Sequence, residues 1–160
     1  MQFTQSISYP GTVDEVVAMY LTPAYLERRF GQFVVEGSST VSVEGERLSF
    51  AGTVRPELIP AAAARFVKSD LRVTFTEEWA TNEAGASSRT SVTVDGAPVS
   101  VEATSTLTGT ETGCTREVTG NVSVRVPLLG GRIEKEAVAH LGRVVEREQA
   151  LATQWLEEHH

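Results

Sequence analysis

The chain opens with an alternation of polar and apolar positions. Over residues 2–9, Phe3, Ile7 and Tyr9 fall in one phase together with Gln5, and polar side chains fill the other phase. Alternation at every second residue is typical of a strand with one buried face. The pattern therefore predicts a first β-strand over residues 2–9, with Gln5 interrupting its apolar side.

Two short helices are predicted directly after this strand. Thr12 is followed three residues later by Glu15, which is the spacing of a capping box, and apolar residues then recur at helical spacing as far as Tyr20. Pro23 can begin a second helix that continues through Ala24–Phe30. The chain thus turns twice through helices before any further strand.

The middle of the chain alternates repeatedly and is divided by turn residues such as Asp95-Gly96. Six further strands are predicted, over Phe33–Val43, Arg47–Arg55, Leu71–Trp79, Thr90–Val94, Val99–Leu107 and Val118–Val126. Four consecutive alanines favour one or two helical turns over Ala61–Val67. Short turns between strands indicate an antiparallel sheet with one wet face and one buried face.

The end of the chain is predicted to be one long helix over Arg132–Glu157, about 40 Å long at roughly 1.5 Å per residue. Its apolar residues recur at steps of three and four, so one face is buried. They are Ile133, Ala137, Val138, Leu141, Val144, Val145, Leu151, Ala152 and Trp155. The predicted fold class is α+β: a curved antiparallel sheet of about seven strands, two short helices after the first strand, and this helix across the sheet.

Composition narrows the function classes. With 160 residues, 41% of them hydrophobic, the chain suits a single domain over residues 1–158, and His159 and His160 could be a tag remnant. The net charge of −7 and the lack of a basic run argue against nucleic-acid binding. No apolar run reaches the roughly 20 residues of a membrane span. The lone Cys114 and the lack of a signal sequence indicate a cytoplasmic protein. We expect this protein to be a monomer or a homodimer.

A family resemblance rests on four stretches of the sequence. They are Pro127–Glu134 with the helix that follows it, Gln154–Leu156, Glu78-Trp79, and the opening Phe3–Tyr20. In these the chain resembles the START-like (SRPBCC, or Bet v 1-like) superfamily, and more narrowly domain of unknown function 2505, a family found mainly in actinobacteria. The resemblance implies a helix-grip fold with a cavity suited to lipids, sterols, polyketides or other apolar molecules. It carries over no ligand and no catalytic residue, since one fold hosts many functions.

Three charged residues fall where the pattern predicts the interior. Glu77 and Arg116 occupy the apolar phases of their strands, and Glu148 falls near the middle of the apolar stripe of the last helix. An unpaired buried carboxylate is costly, so such a group must be paired, protonated or in contact with a wet cavity. Two interpretations stay open: a Glu–Arg pair across the core (or a bulge that turns Glu77 outward), and a polar anchor inside an apolar pocket.

Apolar residues on the predicted inner faces complete the candidate ligand-binding set, either as plain core or as the wall of a pocket. They are Phe50, Phe75, Trp79 and Trp155, with Leu141 and Val145 from the last helix. The sequence predicts no metal site, no cofactor and no assigned catalytic residue. Its three histidines belong to no metal-ligand motif, and it has no phosphate-binding glycine loop.

Three hypotheses for function follow. The first, which we prefer, is the binding, and with it transport or sensing, of a hydrophobic or amphipathic small molecule between sheet and helix. It fails if side chains fill that space completely. The second is a cyclase, hydratase or hydrolase with Glu77 or Glu148 as a general base of raised pKa. The third is a protein-interaction module with a vestigial cavity, favoured by an exposed apolar patch around Tyr20, Leu21, Tyr25 and Leu26.

Overall fold

The structure is a computed structural model that describes residues 1–59, 61–65, 67 and 70–159. Its frame is a seven-stranded antiparallel sheet in the order β1-β7-β6-β5-β4-β3-β2. The strands are β1 (Gln2–Tyr9), β2 (Thr40–Glu44), β3 (Arg47–Thr53), β4 (Arg72–Asn82), β5 (Gly85–Asp95), β6 (Val99–Thr110) and β7 (Gly113–Val124). The predicted sheet is confirmed, and the first strand pairs with the last.

The helices are α1 (Val13–Tyr20), α2 (Pro23–Phe30), α3 (Ala61–Ala64) and α4 (Gly130–Glu158), with 3₁₀ turns at Gly31–Phe33 and Pro56–Leu58. The predicted capping box is present: the Glu15 backbone N–H donates to Thr12 Oγ1 at 3.2 Å, and the Thr12 N–H donates to the Glu15 carboxylate at 3.1 Å. The two helices after β1 and the long C-terminal helix are confirmed. None of the helices in the described ranges is long and apolar enough to cross a membrane.

The prediction of a continuous strand over Phe33–Val43 is wrong. Gly37 has a φ of 81°, and the Ser38 N–H donates to the Val35 carbonyl at 3.1 Å, so the chain turns before β2 begins. Before this turn, Val34 makes an isolated antiparallel bridge to Val54. The glycine allows a left-handed backbone that other residues avoid, and its neighbours Glu36, Ser38 and Ser39 are polar.

The predicted helical turns over Ala61–Val67 are shorter in the structure, where α3 ends at Ala64. Phe66, within that prediction, lies outside the described residues, as does His160 of the possible tag remnant. The neighbouring His159 is described: its ring stacks on Trp155 with centroids 4.0 Å apart.

Two hydrophobic clusters hold α4 against the sheet. Ile133 near the helix start packs with Val122 and Val124 of β7, while Ala152 and Trp155 near its end belong to a larger core with β1, α1 and α2. Between Ile133 and Ala152, by contrast, every residue of α4 is half-buried or exposed. The helix is therefore anchored at both ends and loosely covered in the middle, although its apolar stripe continues through that middle.

Candidate functional site

An open pocket of about 290 Å³ lies between the inner face of the sheet and the middle of α4. Strands β1, β4, β5, β6 and β7 form its floor, α4 forms its roof, and the end of α2 with the following turn closes one side. Six of the predicted ligand-binding residues line it: Phe75, Glu77, Arg116, Leu141, Val145 and Glu148. The space under α4 is thus not filled by side chains.

The other three predicted residues lie in the core behind the pocket wall. Phe50 packs against Phe30, with ring centroids 4.9 Å apart. Trp79 stacks on Tyr20 at 5.6 Å, and Trp155 is buried in the cluster at the end of α4. Each of the three is at most 8% exposed and none lines the pocket, so they support the wall and do not form it.

A buried ion pair crosses the floor of the pocket. Arg116 Nη2 lies 2.9 Å from Glu77 Oε2, and the two side chains are only 3% and 1% exposed. The same carboxylate accepts hydrogen bonds from Trp79 Nε1 at 2.9 Å and from Thr90 Oγ1 at 2.7 Å. The structure therefore shows the paired interpretation of Glu77, in a position that also lines the pocket.

Arg116 is held by further groups on the inner face of the sheet. Its Nε donates to Ser105 Oγ at 3.0 Å and its Nη2 to Ser88 Oγ at 3.2 Å. The guanidinium also lies over the rings of Tyr20 and Trp79, about 5 Å from their centroids (5.0 and 4.9 Å). Hydrogen bonds at its edge and rings over its faces fix this cation in one orientation.

These contacts decide the charge state of Glu77. Burial alone would raise the pKa of this carboxyl, but Arg116, then Arg29, and the hydrogen bonds from Thr90 and Arg116 together lower it. For Arg116, burial would lower the pKa, but Glu77, then Tyr20, Tyr9 and Glu148, together outweigh it, so the pKa lies above its ordinary value. Glu77 does not have the raised pKa that the enzyme hypothesis expects of a general base.

A second ion pair lies at the pocket rim. Arg29 Nη2 of α2 is 2.6 Å from Glu148 Oε1 of α4, with side chains 10% and 13% exposed. The Tyr20 hydroxyl donates to the same oxygen at 3.0 Å, and the Tyr9 and Tyr20 hydroxyls share a hydrogen bond of 2.6 Å. Burial raises the pKa of Tyr9 to about 12, so this hydroxyl keeps its proton. The chain of hydroxyls ties α2 and α4 to the core.

Arg29 is less fully bonded than Arg116. Its guanidinium lies 4.8 Å from the Tyr20 ring centroid, 4.6 Å from that of Phe30 and 5.1 Å from that of Phe75. Its Nε and Nη1 are buried and have no hydrogen-bond partner among the described residues. Burial would lower its pKa, but Glu148, Tyr20 and Glu77 more than compensate, so the pKa is raised and the cation persists.

Sequence reasoning did not single out Arg29. The pair Arg28-Arg29 near a helix end is typical of a solvated terminus that favours the helix dipole. A signal was present, because position 29 comes four residues after Tyr25 and three after Leu26, both fully buried. Arg28, on the outer side, forms an exposed pair with Glu158.

The apolar patch that would favour an interaction module is not exposed. Tyr20, Tyr25 and Leu26 are fully buried, and Leu21 is half-buried and packs against the core. The structure therefore lacks the exposed apolar patch at these four residues that would have favoured a protein-interaction module. Within the described ranges, no cluster of three or more His, Cys, Asp or Glu side chains could hold a metal ion.

Comparison with known sequences places the chain in a family. Residues 4–156 match the family described as protein of unknown function DUF2505. The uncharacterized protein Rv0481c of Mycobacterium tuberculosis is 27% identical over 168 positions, covering 96% of this chain and 95% of the relative. The uncharacterized protein Mb0491c of Mycobacterium bovis matches with the same values.

Solved structures share the fold. Norcoclaurine synthase from Thalictrum flavum, in complex with dopamine and hydroxybenzaldehyde, superposes with a TM-score of 0.62 at 12% identity, covering all (100%) of this chain and 88% of that one. A conserved protein from Geobacillus kaustophilus superposes with a TM-score of 0.60 at 18% identity, covering 99% of this chain and 96% of that one. A START superfamily protein from Mycobacterium smegmatis superposes with a TM-score of 0.50 at 11% identity, covering 93% of this chain and 97% of that one. The chain therefore belongs to the DUF2505 family, and its fold is that of the START-like superfamily.

Proposed function

We propose that the protein binds a small hydrophobic or amphipathic molecule in the pocket under the middle of α4. One observation carries the proposal. The helix is anchored to the sheet near Ile133 and Ala152, yet the apolar stripe between them is left over an unfilled space of about 290 Å³. An apolar surface that lines a cavity favours the binding of an apolar molecule, because binding removes that surface from water.

The size and lining of the pocket support a small ligand. The volume is at the low end of the roughly 300–1,000 Å³ of ligand pockets, which are mostly apolar with a few polar groups. If a non-hydrogen atom takes about 20–30 Å³, near the share of a water molecule in the liquid, the space holds on the order of 10–15 such atoms. A short acyl chain or polyketide fragment meets this limit.

The finer parts of the proposal follow the sequence expectations. Residues 1–158 act as a single binding domain in the cytoplasm, as a monomer or homodimer. The lining residues Phe75, Leu141 and Val145 contact the ligand, with Glu77, Arg116 and Glu148 as polar groups; Phe50, Trp79 and Trp155 support the wall. Transport and sensing are both compatible with such a site.

The test fills the pocket from its floor. Ala103 lines it, whereas the next residue, Thr104, lies on the outer face of the same strand. Calorimetric titration with 1-octanol should show saturable one-to-one binding to the wild type and to Thr104→Phe, and none to Ala103→Phe. Circular dichroism and thermal unfolding confirm that both variants fold. Absence of octanol binding to the wild type, or equal binding by both variants, would contradict the proposal.

Catalysis is the second candidate, with one observation in its favour: Glu148 lines the pocket while joined to the Tyr20 and Tyr9 hydroxyls. Such a chain can relay a proton between the cavity and the core. A molecule that native mass spectrometry finds in the purified protein would serve as the test substrate. Its conversion by the wild type and not by Glu148→Gln would support a cyclase, hydratase or hydrolase; release unchanged would support binding alone.

A further inference from the structure

We propose that the ligand is an amphipathic acid, with a single anionic head group bound at Arg29 and an apolar body under α4. This inference rests on the proposed function and names the chemical class of its ligand. It is carried by three features of the pocket: the balance of charges around it, the unpaired buried donors of Arg29, and the apolar side chains that line the pocket on strands away from Arg29.

The charges that line the pocket do not cancel. Three arginines, Arg29, Arg116 and Arg147, face two glutamates, Glu77 and Glu148. The excess of one positive charge is notable in a chain whose net charge is −7. Binding of one anion brings the summed charge of lining and ligand to zero, whereas a cation increases the excess positive charge and a neutral molecule leaves it unchanged.

Arg29 is the lining cation whose buried donors lack an acceptor among the described residues. Arg116 uses its Nε and Nη2 on Glu77, Ser88 and Ser105, while Arg147, at the exposed rim, donates to Gln32 Oε1 at 3.2 Å. Arg29 uses Nη2 on Glu148, and in the part of the chain that the structure describes its Nε and Nη1 have no acceptor. Buried donors of a charged group are costly to leave unpaired, and a carboxylate oxygen accepts a charge-assisted hydrogen bond from either of them.

Both of these nitrogens are buried. The head group therefore has to replace ring contacts made by Phe30 or Phe75, whose side chains are only half-buried and line the pocket. The side chain movement is local, since neither ring belongs to the fully buried core. Water exclusion also strengthens the resulting ion pair.

The pocket offers the apolar body a separate place. Arg29 stands at the α2 end beside Phe75 of β4, while the β1, β6 and β7 side of the floor presents Phe3, Val101 and Val118. Helix α4 packs on β1 and β7, and it contributes Leu141 and Val144 to the lining. A chain whose head lies at Arg29 thus extends beneath the helix along apolar surface.

Three probes of equal chain length test the inference by calorimetric titration at about pH 8, where the acid and the amine are both charged. Octanoate should bind at least about tenfold more tightly than 1-octanol, as expected for a hydrogen bond to a charged group, and octylammonium should not bind. The double variant Arg29→Gln/Glu148→Gln, which removes both charges and leaves a neutral amide at each position, should lose the preference for octanoate and keep octanol binding. The matched control Arg28→Gln/Glu158→Gln should keep the preference.

The outcomes separate the two proposals. Octanol binding that equals or exceeds octanoate binding, or a preference that survives in Arg29→Gln/Glu148→Gln, overturns the acid and leaves the binding function standing. Failure of all three probes removes the binding function and the acid with it. Thermal unfolding of the unliganded variants shows whether each double variant folds.

Discussion

The buried pair of Glu77 and Arg116 allows a demanding test of the structure. Replacing Arg116 with methionine keeps an unbranched apolar side chain and removes the guanidinium, which lies over the rings of Tyr20 and Trp79. Glu77, only 1% exposed, is then left as a carboxylate without a cation at contact distance in the sheet floor. The change thus isolates the cost of an uncompensated buried charge.

The expected loss of stability is about 3–5 kcal/mol, the usual cost of breaking a buried pair from one side. The lost ring contacts of the guanidinium add roughly 1 kcal/mol. Domains of this size are stable by about 5–15 kcal/mol, so Arg116→Met takes a large share of the total. The double variant Glu77→Leu/Arg116→Met should lose clearly less than the sum of its two single variants, because no charge remains buried there.

Urea unfolding followed by circular dichroism measures these differences. Arg28→Met is the control, since its partner Glu158 lies 3.3 Å away with both side chains more than 40% exposed (44% and 43%), and it should cost about 1 kcal/mol or less. In Arg116→Met, burial without its cation raises the pKa of Glu77, so the deficit should shrink as the pH falls through that raised value. The reasoning is refuted if Arg116→Met costs no more than Arg28→Met.

Further outcomes follow from the same structure. The pKa of Glu77 is lowered from 4.5, so the stabilising contribution of its carboxylate is present above that value and is lost as the pH falls towards the folded-state pKa. The urea midpoints of unfolding at about pH 5 and about pH 3 should therefore differ less in Glu77→Gln than in the wild type. Gly85 has a φ of 144° and would place a Cβ against the Leu107 carbonyl oxygen, so Gly85→Ala should cost about 1–3 kcal/mol, while Gly109→Ala, which meets nothing within 4 Å, should cost far less. Burial raises the pKa of Cys114 to about 11, so a thiol reagent should label the native protein much more slowly than the urea-unfolded chain; equal rates would show that the thiol is open to solvent.

The phase of each strand was readable from the sequence, and the register between strands was not. Alternation placed Glu77 and Arg116 inside, because the side chains of a strand point in turn to opposite faces. Their pairing spans β4 to β7 through Thr90, Ser88 and Ser105, and depends on which residues the turns bring opposite one another. Short-range patterns contain no such information across 39 positions.

Helical periodicity likewise predicted which face of a helix is covered, and it gave no information on contacts between elements. It placed Glu148 on the covered face of α4, but its partner Arg29 belongs to α2, whose docking against the end of α4 is a matter of tertiary packing. The unfilled middle of α4 could not be predicted either. An apolar stripe has the same appearance over a filled core as over a cavity, and only the residues opposite it decide which is formed.

Pairing of the first strand with the last also determines the order of events during synthesis. Ser6 and Glu117, whose side chains hydrogen-bond across β1 and β7, are 111 positions apart. At translation speeds of about 5–20 residues per second, β1 waits roughly 5–20 s for its partner to leave the ribosome. Since α4 rests on β1 and β7, the pocket between them forms only after α4 has left the ribosome.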